Sequence, residues 1–216
     1  MNQELLDQIS IALQKGKAKD IKVLVQQAID EGMPAETILN DGLMAGMNII
    51  GAKFKRDEVF VPEVLVAGRA MNIGTSLIKP LLVRDGVKKV GKVLIGTVKG
   101  DMHDIGKNLV RMMIEAKGFE VVDLGVDVPA ESFLKTAQEG QFDIVCLSAL
   151  LTTTMNEMRN VVNVFEEAGA RDSVKIMIGG APITHSFCTT IGADRYTPDA
   201  GSAAEVALEL ITQKAA

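Results

Sequence analysis

Apolar positions in the first third of the chain recur at helical spacing. Leu5, Leu6, Ile9 and Leu13 form one stripe, and Gly16 follows as a stop. Ile21, Leu24, Val25, Ala28 and Ile29 form a second stripe that closes near Gly32. Pro34 suits the first turn of a third helix, with Ile38, Leu39, Leu43, Met47 and Ile50 on one side, and Pro62 opens a fourth carrying Leu65, Met71 and Ile78. Four helices joined by short turns predict a small bundle over residues 1–79. Residues 80–91 (PLLVRDGVKKVG) mix Pro, Gly and charge and read as a linker. Beyond it the period changes. Residues 92–98, 119–124, 143–147 and 174–178 are short apolar runs rich in β-branched side chains, and 195–197 offers a fifth. Helical stretches over 106–117, 130–139, 154–168 and 202–212 alternate with them. Apolar strands alternating with helices imply a parallel sheet covered on both faces. The predicted fold class is α/β: an N-terminal four-helix bundle with its linker over 1–90, then a doubly wound parallel-sheet domain, Rossmann-like or flavodoxin-like, over 91–216.

Composition narrows the function classes. With 23 Lys+Arg against 28 Asp+Glu, the 216-residue chain carries a net charge of −5. Such a chain lacks the basic field that phosphate backbones need, so nucleic acid is not an expected partner. Values of 47% hydrophobic and 24% charged residues exclude a disordered chain. The longest stretch free of Lys, Arg, Asp and Glu, 176–193, is broken by Gly179, Gly180 and Pro182, so no membrane span is expected. The opening MNQELLDQIS has no basic n-region, and Cys146 and Cys188 are too few for a disulfide framework. A cytoplasmic protein is expected. Met44, Met47 and Met71 fall in the helical part and read first as a plastic core.

In open parallel sheets, ligands sit beyond the carboxyl ends of strands. The first strand here runs into Lys99-Gly100-Asp101-Met102-His103-Asp104-Ile105-Gly106, which holds one of the chain's 2 histidines between two aspartates. Neither G-x-G-x-x-G nor G-x-x-x-x-G-K-[ST] appears, so the dinucleotide and P-loop readings lack their fingerprints. By itself, His103 with Asp101 two residues away fits a general base, a metal ligand or an ordinary surface histidine. A zinc site lacks a second His or Cys at ligand spacing. His185 and Cys188 fall in a late loop and read as structural or surface residues.

Three elements in order change that balance. Asp101-x-His103-x-x-Gly106, then Ser148-x-Leu150, then Gly179-Gly180 resembles the cobalamin-binding signature, with 41 positions (107–147) and 28 positions (151–178) between the elements. The wording DMHDIGKNLV, VVDLGVDVPAE and LSALLTTTMNEM is similar to the cobalamin domain of B12-dependent methionine synthase. In size the chain resembles the free corrinoid carrier proteins of three-component methyltransferase systems. The resemblance covers both parts, a four-helix cap and a cobalamin-binding domain. It implies cobalamin, as methylcobalamin or another corrinoid, with His103 replacing the dimethylbenzimidazole as the lower cobalt ligand. Asp101 would take the other ring N–H, and Thr154 would complete the relay where methionine synthase has a serine. Met102, Asp104 and Ile105 flank His103 in the motif, and Gly106 would let the loop turn closely against the corrin. Ser148 and Thr152 would hydrogen-bond the buried base beside Leu150, and Gly179 and Gly180 would let the nucleotide tail approach the backbone. Phe54 and Val61 would cover the upper face of the cobalt, with Met44 and Met47 either lining the same surface or filling the bundle core.

The implied function is to carry a methyl group on cobalt between a substrate:corrinoid methyltransferase and a second methyltransferase with a folate or thiol acceptor. A reductive activase for Co(II) would be a further partner. The chain has no substrate barrel, so it is expected to be a methyl-carrier component rather than a complete enzyme, with 80–91 as its hinge. Two alternatives share the cofactor: a cobalamin-dependent sensor or regulator, and the cobalamin subunit of an adenosylcobalamin mutase. A regulator usually adds a DNA-binding segment, and a bulky adenosyl group would clash with a cap closed over a methyl. Methanol, methylamines, betaines, methyl thiols and aryl methyl ethers are all served by carriers of this pattern. A methylamine or quaternary amine donor is the expectation carried forward.

Overall fold

The computed structural model describes residues 2–215. The chain divides into two compact units between Lys88 and Lys89. In the first, α1 (Gln3–Gln14) begins on Asn2, whose side-chain oxygen accepts the Leu5 N–H at 3.3 Å. Next come α2 (Ala18–Asp30), then α3 (Ala35–Thr37), which continues through a π-helical segment (Ile38–Met44) into α4 (Ala45–Lys55), and finally α5 (Val61–Arg84). Leu6, Ile9 and Leu13 of α1, Ile21 and Val25 of α2, Met47 and Ile50 of α4, and Ile78 of α5 are buried in the core of this unit.

Three features of the helical unit depart from the sequence reading. A π-helical segment, Ile38–Met44, interrupts the third helix, and the apolar spacing of this stretch does not register it. The region read as a linker is helical as far as Arg84, with Pro80 inside α5. Proline removes one helix donor, but Pro80 and Ser76 both lie on the exposed face, where the freed carbonyl is open to solvent. The buried stripe runs past them through Ile78 and Leu82. Leu65 stands off that stripe and is exposed, because the buried positions of α5 run from Val64 through Ala67 and Met71.

The second unit alternates β1 (Lys92–Thr97), α6 (Ile105–Glu115), β2 (Glu120–Asp123), α7 (Ala130–Gly140), β3 (Ile144–Ser148), α8 (Met155–Glu167), β4 (Lys175–Gly179), α9 (His185–Thr190), β5 (Arg195–Tyr196) and α10 (Ala200–Ala215). All pairings are parallel, in the order β2-β1-β3-β4-β5. Leu94, Val145, Leu147, Ile176 and Ile178 pack against Phe133, Val161 and Phe165 of α7 and α8. The alternate residues Val93, Ile95, Ile144 and Met177 are equally buried on the other face, where α6 packs on α10. Burial on both faces explains why these strands read as continuous apolar runs. The expected α/β class with a helical N-terminal part is what the structure has.

His185 and Cys188 lie on α9 rather than in a loop. Thr184 starts that helix by accepting the Phe187 N–H at 3.1 Å, a short-range cap that periodicity does not register. His185 is exposed and Cys188 buried. Among the described residues no helix is long and apolar enough to cross a membrane.

Candidate functional site

The strand order sends the chain from β1 outward to β2 and then back across to β3. Connections leaving β1 and β3 therefore diverge, and a crevice opens above their carboxyl ends. The loop after β1 carries Asp101 and His103, and the loop after β3 carries Leu150 to Thr154.

Asp101 is fully buried, and five donors converge on its carboxylate. One oxygen accepts the backbone N–H of His103 at 3.1 Å and faces His103 Nδ1 at 2.7 Å. The other accepts the N–H groups of Leu150 at 2.7 Å and Leu151 at 3.2 Å and the hydroxyl of Thr154 at 2.9 Å. Burial by itself would raise this carboxyl. The Leu150 N–H, the His103 ring and backbone and the Thr154 hydroxyl more than offset that and hold it far below the usual carboxylate range. An ionised acceptor at Nδ1 requires the ring to carry its proton there, which leaves the Nε2 lone pair free. The His103 side chain is half-exposed, so that lone pair is available to a ligand.

The surroundings of His103 are apolar. Met102 on the loop after β1, Ile105 at the start of α6, and Leu150 and Leu151 on the loop after β3 are exposed large hydrophobics. Asp104 is the N-cap of α6 and accepts from Asn108 Nδ2 at 3.1 Å. Gly106 differs from the sequence expectation: it lies in the first turn of α6 with ordinary helical backbone, not in a turn that demands glycine. A Cβ there would meet nothing within 4 Å, so the space around Gly106 is open.

Ser148 stands in one row with Thr97 and Gly179 across β1, β3 and β4. That row lies on the α6 and α10 side of the sheet, at its carboxyl end. Thr152 is exposed in the short 3-10 turn that places Thr154. Gly180 has φ of 135°, and any side chain there would overlap the Ala149 carbonyl. Its lack of a Cβ thus seats the end of β4 against the loop after β3. Met44, Phe54 and Val61 are half-buried in the helical unit. Met47 is 1% exposed there, so it belongs to that unit's core and cannot line a surface.

Two contributors were not singled out from sequence. Thr97, wholly buried, donates its hydroxyl to the His103 carbonyl at 2.8 Å, and the Leu151 N–H joins that of Leu150 on Asp101. A threonine ending an otherwise apolar strand was the visible signal for the first. A backbone donor leaves none.

The arrangement offers a metal one neutral imidazole nitrogen, fixed in tautomer and direction, on an open apolar surface. Among the described residues no three His, Cys, Asp or Glu side chains converge on a metal position. The donor set fits a metal that brings its remaining ligands in a planar, largely apolar macrocycle.

A B12 binding domain matches residues 91–208, and a second type of B12 binding domain matches residues 5–79. Dimethylamine corrinoid protein 3 of Methanosarcina acetivorans is 41% identical over 207 residues, covering 96% of this chain and 97% of that relative. The methanol:cobalamin methyltransferase complex MtaBC from Methanosarcina barkeri contains a chain with a TM-score of 0.87 and 31% identity, covering 98% of this chain and 81% of that one. A cobalamin-binding protein from Desulfitobacterium hafniense superposes with a TM-score of 0.79 at 30% identity, covering 95% of this chain and 98% of that one. With both modules matched and the imidazole site in the crevice of the second, the chain belongs to the family of B12-binding corrinoid proteins.

Proposed function

We propose that this corrinoid protein is the methyl carrier of a methyltransferase system, with His103 as the lower axial ligand of the cobalt. The observation that carries the proposal is the half-exposed imidazole held at Nδ1 by a buried, ionised Asp101. When bound, the corrinoid supplies a cobalt centre that takes a methyl group from one partner and yields it to another. The protein's part is ligation, orientation and shelter. Asp101, itself held by the Thr154 hydroxyl, would fix the tautomer and direction of His103, so that Nε2 is the ring atom that would hold the cobalt. Exposed Met102, Ile105, Leu150 and Leu151 would supply apolar contact to the corrinoid, with Asp104 beside them and Gly106 leaving room. Ser148, Thr152, Gly179 and Gly180 line the proposed path of the nucleotide tail.

The partners in this reading are a substrate-specific methyltransferase, a second methyltransferase with a folate or thiol acceptor, and a reductive activase. The relatives named for dimethylamine support a methylamine donor. The neighbour in a methanol methyltransferase complex supports docking to a separate enzyme. A cytoplasmic location belongs to the same reading, and the buried free thiols Cys146 and Cys188 suit a reducing compartment.

The test is the visible spectrum of the protein reconstituted with hydroxocobalamin and desalted, beside His103→Ala. Retained corrinoid with an axial-ligand band that the variant lacks is the expected result. A colourless wild-type eluate would refute the carrier reading. Methyl transfer from dimethylamine, with partner methyltransferases added, then separates the methylamine assignment from other donors.

A further inference from the structure

Asp101 can orient His103 only if its own backbone is held, and β1 has already ended at Thr97. The Asp101 N–H donates to the Val98 carbonyl at 3.2 Å, and further restraint comes from the connection after β2. Thr97 donates its N–H to Gly125 at 3.0 Å and accepts from Val128 at 3.0 Å, and a single bridge joins Val98 to Val128. Between these contacts, Asp127 turns its own N–H onto the Asp101 carbonyl at 3.0 Å and its carboxylate onto the Gly100 N–H at 2.6 Å. One residue thereby grips the Gly100–Asp101 backbone at both ends.

The backbone conformation makes this grip unusual. Asp127 has φ of 54° and faces Gly100, whose φ is 79°. Aspartate and asparagine tolerate the left-handed region better than other side chains, but a non-glycine residue stays there only where its surroundings hold it. Asp127 is exposed, and among the described residues no Lys or Arg pairs with it, so neither packing nor an ion pair accounts for the conformation. Asp123, the last residue of β2, pairs with buried Lys107 on α6. The end of β2 and the connection after it therefore brace the histidine loop on both sides, at Gly100–Asp101 and after Gly106.

We propose that Asp127 is a positioning residue for His103, acting through the backbone of Asp101; the proposal rests on the axial-ligand reading above. The experiment uses the full chain with Asp127→Gly, Asp127→Ala and Asp127→Asn. Glycine keeps the left-handed backbone and removes only the carboxylate, so Asp127→Gly carries the test even if Asp127→Ala does not fold. Asparagine keeps an acceptor for the Gly100 N–H.

Two readouts are taken: ring nitrogen chemical shifts of His103 in the ligand-free protein, and the axial band and retention of hydroxocobalamin. Asp127→Asn is expected to match wild type. Asp127→Gly is expected to show mixed ring tautomers and about tenfold weaker cobalamin retention, the loss typical of outer partners of metal ligands. Wild-type ring shifts and an unchanged band in Asp127→Gly would overturn the proposal, as would equal loss in Asp127→Asn. A wild-type protein that retains no cobalamin defeats the carrier reading instead, and the ligand-free ring shifts still decide the role of Asp127.

Discussion

Asp101 and Asp194 sit at opposite ends of one sheet, and both are held below the usual carboxylate range although burial pushes each of them up. At the amino end of β4, Asp194 accepts the Ile176 N–H at 2.8 Å and pairs with Arg171 at 2.7 Å and Lys175 at 3.4 Å. Arg171 also donates to the Gly192 carbonyl at 2.7 Å, so the cluster ties the turns before β4 and β5 into a closed knot. At the carboxyl end, no Lys or Arg among the described residues pairs with Asp101. Backbone N–H groups and a hydroxyl stabilise it instead, and the remaining partner is an imidazole with one nitrogen open. A buried aspartate alone does not mark a functional site. The difference lies in whether one of its partners still has bonding capacity facing outward.

Four measurements test that contrast. Asp194→Ala leaves the mostly buried Arg171 unpaired and should cost about 3 kcal/mol in urea unfolding. It should leave the His103 ring shifts untouched, and a change in them would break the comparison. Asp101→Asn presents an amide donor to an array of N–H donors and should cost about 2 kcal/mol. Unlike the first variant, it should also abolish the axial band of bound hydroxocobalamin.

The third test is pH. Both carboxylates titrate lower in the folded than in the unfolded chain, so the unfolded chain binds protons first. Their contribution is complete above about pH 4 and is lost as pH falls below it, by at most about 1.4 kcal/mol per pH unit for each group. Removing either aspartate should flatten the acid limb of the stability curve, and an unchanged limb would contradict the assigned hydrogen bonds. The smallest effect is expected at Thr154. Thr154→Val should cost about 1 kcal/mol and weaken the axial band, while Thr154→Ser should cost about 0.5 kcal/mol and keep it.

Much of this was legible in the chain. Strand runs near 92–98 and 143–147 were visible because a sheet buried on both faces demands apolar, β-branched residues at every position. The motif residues Asp101 and His103 were visible because they are two apart in sequence and adjacent in space. Met47 read as either surface or core because a stripe at helical spacing does not say which neighbour covers it. Pro80 was misread as a breaker because its exposed face is a property of packing, not of the proline.

The sequence by itself determined the alternation of elements, hence the class of fold, and the strand end where chemistry had to lie. Both follow from local periodicity and from residues a few positions apart. Only the tertiary structure decided how His103 is held, because the donors that keep Asp101 ionised come from Leu150 and Thr154, 49 and 53 residues away. Such partners meet only once β1 and β3 lie side by side. The same is true of Gly180 against Ala149 and of Asp127 against Gly100. Hydrogen bonds between distant loops depend on the sheet that brings the loops together, and local sequence patterns do not record them.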